Sequence, residues 1–338
     1  MMKSHFLFNN IVHTPGVLYT LIRNVNRQKK ILDQHIVPEL AAAMKTNDGS
    51  LDQEDIAKIL NYYALAVPAI LGEALCVLRG TKMTYQERLA LTCQGAITGL
   101  GDDFFDKQNM PDDLIKTLIE KPDELNGSNT NEQLFLTFYK RALNKAHNPA
   151  LMLHYLRQVF AAQIKSRKQS KPGLLTKDAL LEVTIEKGAA SILFYRSVLI
   201  NPLTKEEEVA LYQLGGLLQL GNDIFDLYKD CQKRIDTLIT TAKKVQEVRE
   251  IFLAQMEKSF SLCYKMNYPR RNITQMLRLI TMSICSRCIV CLNQLGKKEK
   301  ETGGNFLPYQ YERKDLVCDM QKVGNKWGMI LNFINNRI

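Results

Sequence analysis

The sequence predicts an all-α protein, built as one domain of about ten helices. Three observations lead to that class. Helix-start signals recur along the chain, each opening a stretch with helical spacing of its apolar residues. No alternating apolar–polar run is long enough for a sheet, and no hairpin turn joins two such runs. The breaks, at about 45–50, 121–131, 169–174 and 297–305, are too short to be flexible interdomain linkers.

Taken in order, helical spacing runs over about 12–31 and 54–79. Thr84-x-x-Glu87 is a capping box, in which the hydroxyl takes one orphan amide and the glutamate returns to another. The helix it opens should extend through Asp106. Asp112 and Asp113 follow Pro111 and suit the first turn of a helix, where the dipole favours anions. Further helices read at about 130–146 and 149–168. Thr176 is the N-cap of a helix expected to end at Asn201-Pro202, because the residue before a proline is driven out of the α region. Thr204-x-x-Glu207 is a second capping box, and helices follow at about 236–265, 271–294 and 309–335.

Apolar residues make up 46% of the 338 and charged residues 24%, an ordinary globular balance in a chain long enough for a sizeable core. The net charge of +10 points to an anionic partner such as phosphate, nucleic acid or a membrane surface, or to nothing more than a basic surface. The positive residues are scattered and form no reader motif, so no nucleic-acid partner is expected. The eight cysteines lack a disulfide-scaffold spacing and no signal peptide is visible, so a cytoplasmic protein is expected. The longest apolar run, about 62–78, is broken by Pro68, Gly72 and Glu73, so no transmembrane segment is expected. Cys285, Cys288 and Cys291 are spaced i, i+3, i+6. Zinc would need a fourth ligand, and none of the five histidines is near in sequence, so they read as helical core.

Two acidic stretches carry the chemistry. In "GLGDDFFDKQ", Asp102 and Asp106 fall about 40° apart on one helix face, one turn apart. Like charges at i and i+4 repel, and the C-terminal end of a helix disfavours anions. Buried carboxylates there need a partner or a metal, and hard oxygen donors suit Mg²⁺. The plain alternative is a solvated polar helix end. In "LGGLLQLGNDIFDLYKD", Asp223, Asp226 and Asp230 are spaced i, i+3, i+7, within about 60° on one helix. Asn222 and Lys229 flank that face; an amide oxygen completes a metal shell and an ammonium holds a phosphate. Gly215, Gly216 and Gly221 are costly in a long helix and make sense where another helix or a ligand approaches closely. If the two acidic faces meet across a cavity, they hold a cluster of Mg²⁺ ions able to neutralise a diphosphate.

At these residues the chain resembles the class I isoprenoid synthases. Asp102-Asp103-Phe104-Phe105-Asp106 matches their DDxxD motif. The second stretch resembles three branches at once. Asn222, Asp223 and Lys229 match the terpene synthase pattern NDxxSxxKE, with Asp226 for Ser and Asp230 for Glu. Leu214, Gly215, Gln219, Asp223 and Asp226 match the chain-elongating pattern LGxxFQxxDDxxD, with Asn222 for the first Asp. Gln219, Leu220, Asn222, Asp226 and Asp230 match the squalene and phytoene synthase pattern QLxNxxxDxxxD. Lys187 in "KGAASI" is similar to the diphosphate-binding lysine of KTAxL, with Gly188 for Thr, and Arg196 is a second candidate cation.

The resemblance covers about 50–335, leaving 1–49 as an N-terminal helical extension. It implies a single helical bundle around a central apolar cavity and a possible homodimer. It implies three Mg²⁺ ions held by Asp102, Asp103, Asp106, Asn222, Asp223, Asp226 and Asp230. Asp102, Asp106 and Asp223 would be catalytic, and Lys187, Arg196 and Lys229 would bind the diphosphate. The pocket would be lined by Ile97, Thr98, Phe105, Phe194 and Gln219. Ile97 and Thr98 stand one turn before Asp102, where an aromatic shortens the cavity in related enzymes, so a C15 or longer chain is expected. No GKR motif and no RR pair after DDxxD is present, which disfavours a dedicated isopentenyl diphosphate site. The C-terminal RY pair of terpene synthases is not intact; Tyr309, Tyr311 and Arg313 are candidate lid residues.

The expected activity is thus a Mg²⁺-dependent terpene synthase that ionises an isoprenyl diphosphate, releases pyrophosphate and gives a cyclised or linear terpene. The alternatives are a prenyltransferase, chain-elongating or head-to-head, and a non-catalytic helical partner of a prenyl synthase.

Overall fold

The capping box at Thr84 forms in full. Thr84 Oγ1 accepts the Glu87 amide at 3.2 Å and Glu87 Oε2 accepts the Thr84 amide at 2.8 Å. The helix it opens spans Tyr85–Asp106, as the sequence predicts. The computed structural model describes residues 2–108 and 110–336, with the side chains of residues 2–8 and 106 outside that description. Among the described residues 77% are helical and none lies in a strand, which is the expected all-α class.

In chain order the helices are α1 (Met2–His35), α2 (Val37–Lys45), α3 (Gln53–Arg79), α4 (Tyr85–Asp106), α5 (Asp112–Glu120), α6 (Thr130–Lys145) and α7 (Pro149–Ser166). Then come α8 (Lys177–Arg196), α9 (Lys205–Phe225), α10 (Leu227–Lys233), α11 (Val245–Cys263), α12 (Arg270–Glu301) and α13 (Val323–Ile334). They gather into two compact units. Residues 19–158 and 194–203 form one, the Asp102 unit; residues 1–18, 159–193 and 204–338 form the other, the Asp223 unit.

In the Asp102 unit, α4 buries Leu89, Ala96, Leu100 and Phe104, and α6 brings Phe135, Phe138 and Tyr139 to the same core. The Phe104 and Phe135 rings lie 5.0 Å apart. Burial of each such side chain contributes roughly 1.5–3 kcal/mol. Helix α3 contains two π-helical turns, Ile59–Tyr63 and Val67–Gly72. A π turn displaces carbonyls from the regular ladder. The Ala64 carbonyl is met by Gln28 Nε2 at 2.9 Å, from a glutamine buried completely in the core. Gly95 lets α4 approach this irregular stretch: a Cβ there would stand 2.6 Å from the Tyr63 carbonyl oxygen.

In the Asp223 unit, α9 buries Leu211, Leu214 and Leu217, and α11 and α12 supply Phe252, Met276 and Met282. Cys285, Cys288 and Cys291 are 0%, 0% and 2% exposed, so they are core residues, as expected from their spacing. Helices α8 and α9 cross with their backbones in contact. A Cβ on Gly188 would collide with the Gly215 carbonyl, and a Cβ on Gly215 with the Gly188 carbonyl. A Cβ on Gly216 would stand 2.9 Å from Ile185 Cγ1.

Several boundaries differ from the sequence reading: α1 spans Met2–His35 rather than 12–31, α12 runs on to Glu301 rather than 294, and three others change the local architecture. Helix α8 stops at Arg196 rather than running to Asn201: Ser197 Oγ donates to the Phe194 carbonyl at 2.6 Å, and Glu87 Oε1 takes the Ile200 amide at 3.1 Å. Helix α11 starts at Val245 rather than 236, because Thr237 and Thr240 bond to the intervening backbone, as when Thr240 Oγ1 accepts the Thr237 amide at 2.7 Å. The stretch 309–335 is broken into a turn at Pro308–Gln310, a short helical turn at Arg313–Leu316 and α13. Glu312 and Asp315 cap that short turn reciprocally, which fixes a separate helix start there.

By length and composition alone two helices are long and apolar enough to cross a membrane, so the expected absence of a transmembrane segment is not confirmed. Gln53–Arg79 and Arg270–Glu301 have apolar windows of mean hydropathy 1.5 and 1.4, of which 56% and 78% are buried against the rest of the chain. Core helices share both properties.

The glycine contacts give opposite expectations for the same substitution. Gly215→Ala forces the α8–α9 crossing apart and should destabilise the chain by about 1–3 kcal/mol. Gly16→Ala, in α1 with nothing within 4 Å of the new methyl, should stabilise it by about 0.4–1 kcal/mol. Urea unfolding measures both, and equal destabilisation would contradict the close crossing.

Candidate functional site

The two acidic stretches sit at the C-terminal ends of α4 and α9. They are built differently.

At the end of α4, Asp102 is partly buried and its Oδ2 accepts the Tyr63 hydroxyl at 2.8 Å. Tyr63 comes from the first π turn of α3, so the irregular backbone places the phenol over the carboxylate. Burial, and then the charge of Asp102, hold that phenol well above the usual tyrosine range, so it remains a donor. Asp103 points elsewhere. It is 1% exposed and its Oδ1 accepts from Lys58 Nζ at 2.9 Å. Lys107 Nζ lies 3.9 Å from the same oxygen and also pairs with Asp52 and Asp55. Burial pushes the Asp103 carboxyl up to about 6, with the Lys58 bond working against it. Burial alone would draw the Lys58 ammonium down, and the bond to Asp103 with the charges of Asp102 and Asp55 carries it above its ordinary value.

Asp103 was expected to ligate metal; here its carboxylate belongs to a lysine–aspartate network inside the Asp102 unit. The side chain of Asp106 lies outside the described residues. Of the expected pocket residues, Ile97 is 2% and Phe194 1% exposed, both core, while Phe105 is partly exposed. Thr98 accepts the Tyr195 hydroxyl at 2.9 Å. Arg196, expected to bind diphosphate, is fully buried and donates to the Pro202 carbonyl at 3.4 Å. It is closed to a ligand from solvent.

The end of α9 is an assembled polar cluster. Asp223 is 7% exposed. Its Oδ1 accepts from Gln219 Nε2 at 2.9 Å, and its Oδ2 accepts from Thr184 Oγ1 at 3.3 Å. Thr184 stands on α8 one turn before Gly188, so the glycine crossing sets this bond. Asn222 Nδ2 donates to Asp226 Oδ2 at 3.1 Å. Asp226 is not helical: with φ −87° and ψ 6° it caps α9 and precedes α10, so the one-helix face expected for the three aspartates is interrupted at its middle. The backbone bonds Asp226 N–H to Asn222 O at 2.8 Å and Asp230 N–H to Asp226 O at 2.9 Å carry the direction across the break.

Electrostatics tie the cluster together. Burial pushes Asp223 up to about 6; Gln219, the Lys187 charge and Thr184 oppose it, and Asp226 adds to it. Burial, then the charges of Asp223 and Asp226, push Asp230 up to about 8, with Lys187 and Lys229 opposing. Lys187 is half-buried and Lys229 exposed, so both expected cations lie within electrostatic reach of the carboxylates. The 308–313 segment borders the same place: Tyr309 feels the charges of Asp236 and Asp230, and the Arg313 guanidinium lies 5.7 Å from the Tyr228 ring centre.

Among the described residues no three His, Cys, Asp or Glu side chains are gathered closely enough to hold a metal ion by themselves. Mg²⁺ needs less than that. It keeps several waters and takes phosphate oxygens, so one or two carboxylates suffice. The donor set at Asp223, Asp226 and Asp230 fits such an ion: hard oxygens, with the carboxyls of Asp223 and Asp230 raised by burial first and by neighbouring carboxylates second. Asp103 differs: its Oδ1 is held by Lys58, and its buried Oδ2 has no hydrogen-bond partner. The sequence had no means of finding Tyr63, Lys58 or Asp55, which reach the first stretch from α3.

Both raised carboxyls bind protons in the folded chain that the unfolded chain releases near its ordinary 3.8. Their stabilising contribution is complete below that value and is lost as pH rises through about 6 and about 8. The melting temperature of the metal-free protein should therefore fall from pH 5 to pH 9, and Asp230→Asn should flatten the upper part of that fall. An unchanged pH profile in the variant would contradict the placement of Asp230.

No protein-family model matches the chain, and no curated protein and no solved structure proved similar to it.

Proposed function

We propose that the chain is a Mg²⁺-dependent class I terpene synthase that ionises an allylic isoprenyl diphosphate of C15 or longer and releases pyrophosphate. The observation that carries this reading is the cluster at the end of α9, where Asp223, Asp226 and Asp230 stand with Asn222, Gln219, Thr184 and Lys187. Magnesium bound at these oxygens would neutralise charge that grows on a leaving diphosphate. Thr184 and Gln219 hold the Asp223 carboxylate in one orientation. Lys187 and Lys229 add positive charge within electrostatic reach of the same carboxylates, which would favour a diphosphate there. Asp102 is the second carboxylate in this reading, and the Tyr63 hydroxyl orients it.

A prenyltransferase is the second reading. Gln219 and Lys187 both belong to the chain-elongating pattern, and both act on Asp223 here.

Incubation with geranyl, farnesyl and geranylgeranyl diphosphates, with and without isopentenyl diphosphate and Mg²⁺, separates the two. Hydrocarbon or alcohol from one substrate alone is the expected result, and longer diphosphates would establish elongation. Absence of pyrophosphate release under every condition would contradict both. Asp223→Ala and Asp102→Ala should each lower turnover by about 10²–10³-fold or more with the helical circular dichroism unchanged.

A further inference from the structure

A second charged feature lies at the other end of α9. Tyr268 donates to Glu207 Oε2 at 2.8 Å, so the start of α12 is held at the first turn of α9, while Asp223 lies in its last. At about 1.5 Å per residue the two are roughly 24 Å apart along the helix. Here a cleft of 480 Å³ opens between the two helices α1 and α12. Asn9 and His13 face it from α1, one turn apart. Arg271, Thr274, Gln275 and Arg278 face it from one stripe of α12, and Arg270 begins that helix.

None of the residues that line the cleft is acidic, and Glu207 in the first turn of α9 is outside the lining and bonded to Tyr268. The chain has no Asp or Glu before Asp33, and none between Arg270 and Lys298. Arg278 forms the base: it is 6% exposed, and its Nε is buried with no hydrogen-bond partner. Such an orphaned guanidinium donor is costly unless something accepts from it. His13 registers the Arg278 charge, since burial first and Arg278 second lower its pKa. Arg270 is steered by stacking at 4.7 Å on the Tyr264 ring, whose hydroxyl lies 3.2 Å from Thr274 Oγ1. The first turn of α12 adds its own field, because Pro269 at the N-cap supplies no side-chain acceptor. The wall on the α1 side is anchored: Asn10 Nδ2 donates to the carbonyl of Ile334, the last residue of α13, at 3.2 Å and to the Asn336 carbonyl just beyond it at 2.7 Å.

We propose that this cleft is a binding site for a phosphate group carried on a small molecule or a lipid headgroup, separate from the acidic cluster. Three guanidinium forks and a helix N-terminus match the oxygens of a phosphate, and a cleft of 480 Å³ holds more than the phosphate alone. Arg278 takes the innermost oxygen, with Arg270 and Arg271 closing from the rim.

The test uses the full chain in Mg²⁺-free buffer with chelator, so that the acidic cluster cannot recruit phosphate through a metal. Calorimetric titration with inorganic phosphate and with glycerol 3-phosphate reads the free-ligand source. Co-sedimentation with phosphatidic acid vesicles, against phosphatidylcholine alone, reads the headgroup source. Saturable binding in either arm is expected, weakened about tenfold or more in Arg278→Gln and in the exposed Arg271→Gln, and unchanged in Asp223→Asn. Arg271→Gln keeps the test valid should the buried variant fail to fold. Binding in neither arm, or equal binding by wild type and Arg271→Gln, would overturn the proposal.

Discussion

The contact between the backbones of α8 and α9 at Gly188 and Gly215 is the constraint on which the candidate site depends. No side chain fits between these helices there. Because they meet so closely and run in opposite directions, Thr184, one turn before Gly188, reaches Asp223, two turns after Gly215. Gln219 lies against the same crossing and bonds the other oxygen of Asp223. Lys187, beside the glycine, comes into electrostatic reach of both Asp223 and Asp230. The carboxylates are thereby held in a partly desolvated place where they repel one another. An apolar environment makes that repulsion large, and the same environment makes a bound cation effective.

The Asp102 unit uses its acids differently. A π turn in α3 brings Tyr63 to Asp102, and Lys58, one turn earlier, to Asp103. Neighbouring aspartates on one helix thus meet different partners, since they point about 100° apart. One is oriented by a neutral donor that leaves its charge in place. The other is neutralised by lysines.

Much of this was legible in the sequence, where the information is local. The Thr84 box fixed α4 to the residue, because both halves of a capping box lie within four positions. The glycines of α9 correctly announced a close approach, since glycine is costly in a helix unless something needs the space. What was hidden depends on distant partners. Tyr63 and Lys58 are 39 and 45 positions from the aspartates they meet, and nothing in "DDFFD" names them. The break at Asp226 was also hidden: the helical spacing of 223, 226 and 230 looks unbroken, yet Asn222 binds the Asp226 side chain where the backbone leaves the helix. Arg196 looked like a ligand cation by position, but the turn after α8 seals it in the interior.

The central proposal is that the α8–α9 crossing shapes a divalent-cation site at Asp223 that does not depend on the Lys58-paired Asp103. Electron paramagnetic resonance titration with Mn²⁺, in the absence of substrate, tests this directly. Saturable binding by the wild type and by Asp103→Asn, lost in Asp223→Asn, is the predicted result. Binding retained in Asp223→Asn and lost in Asp103→Asn, or no binding by the wild type, would contradict it.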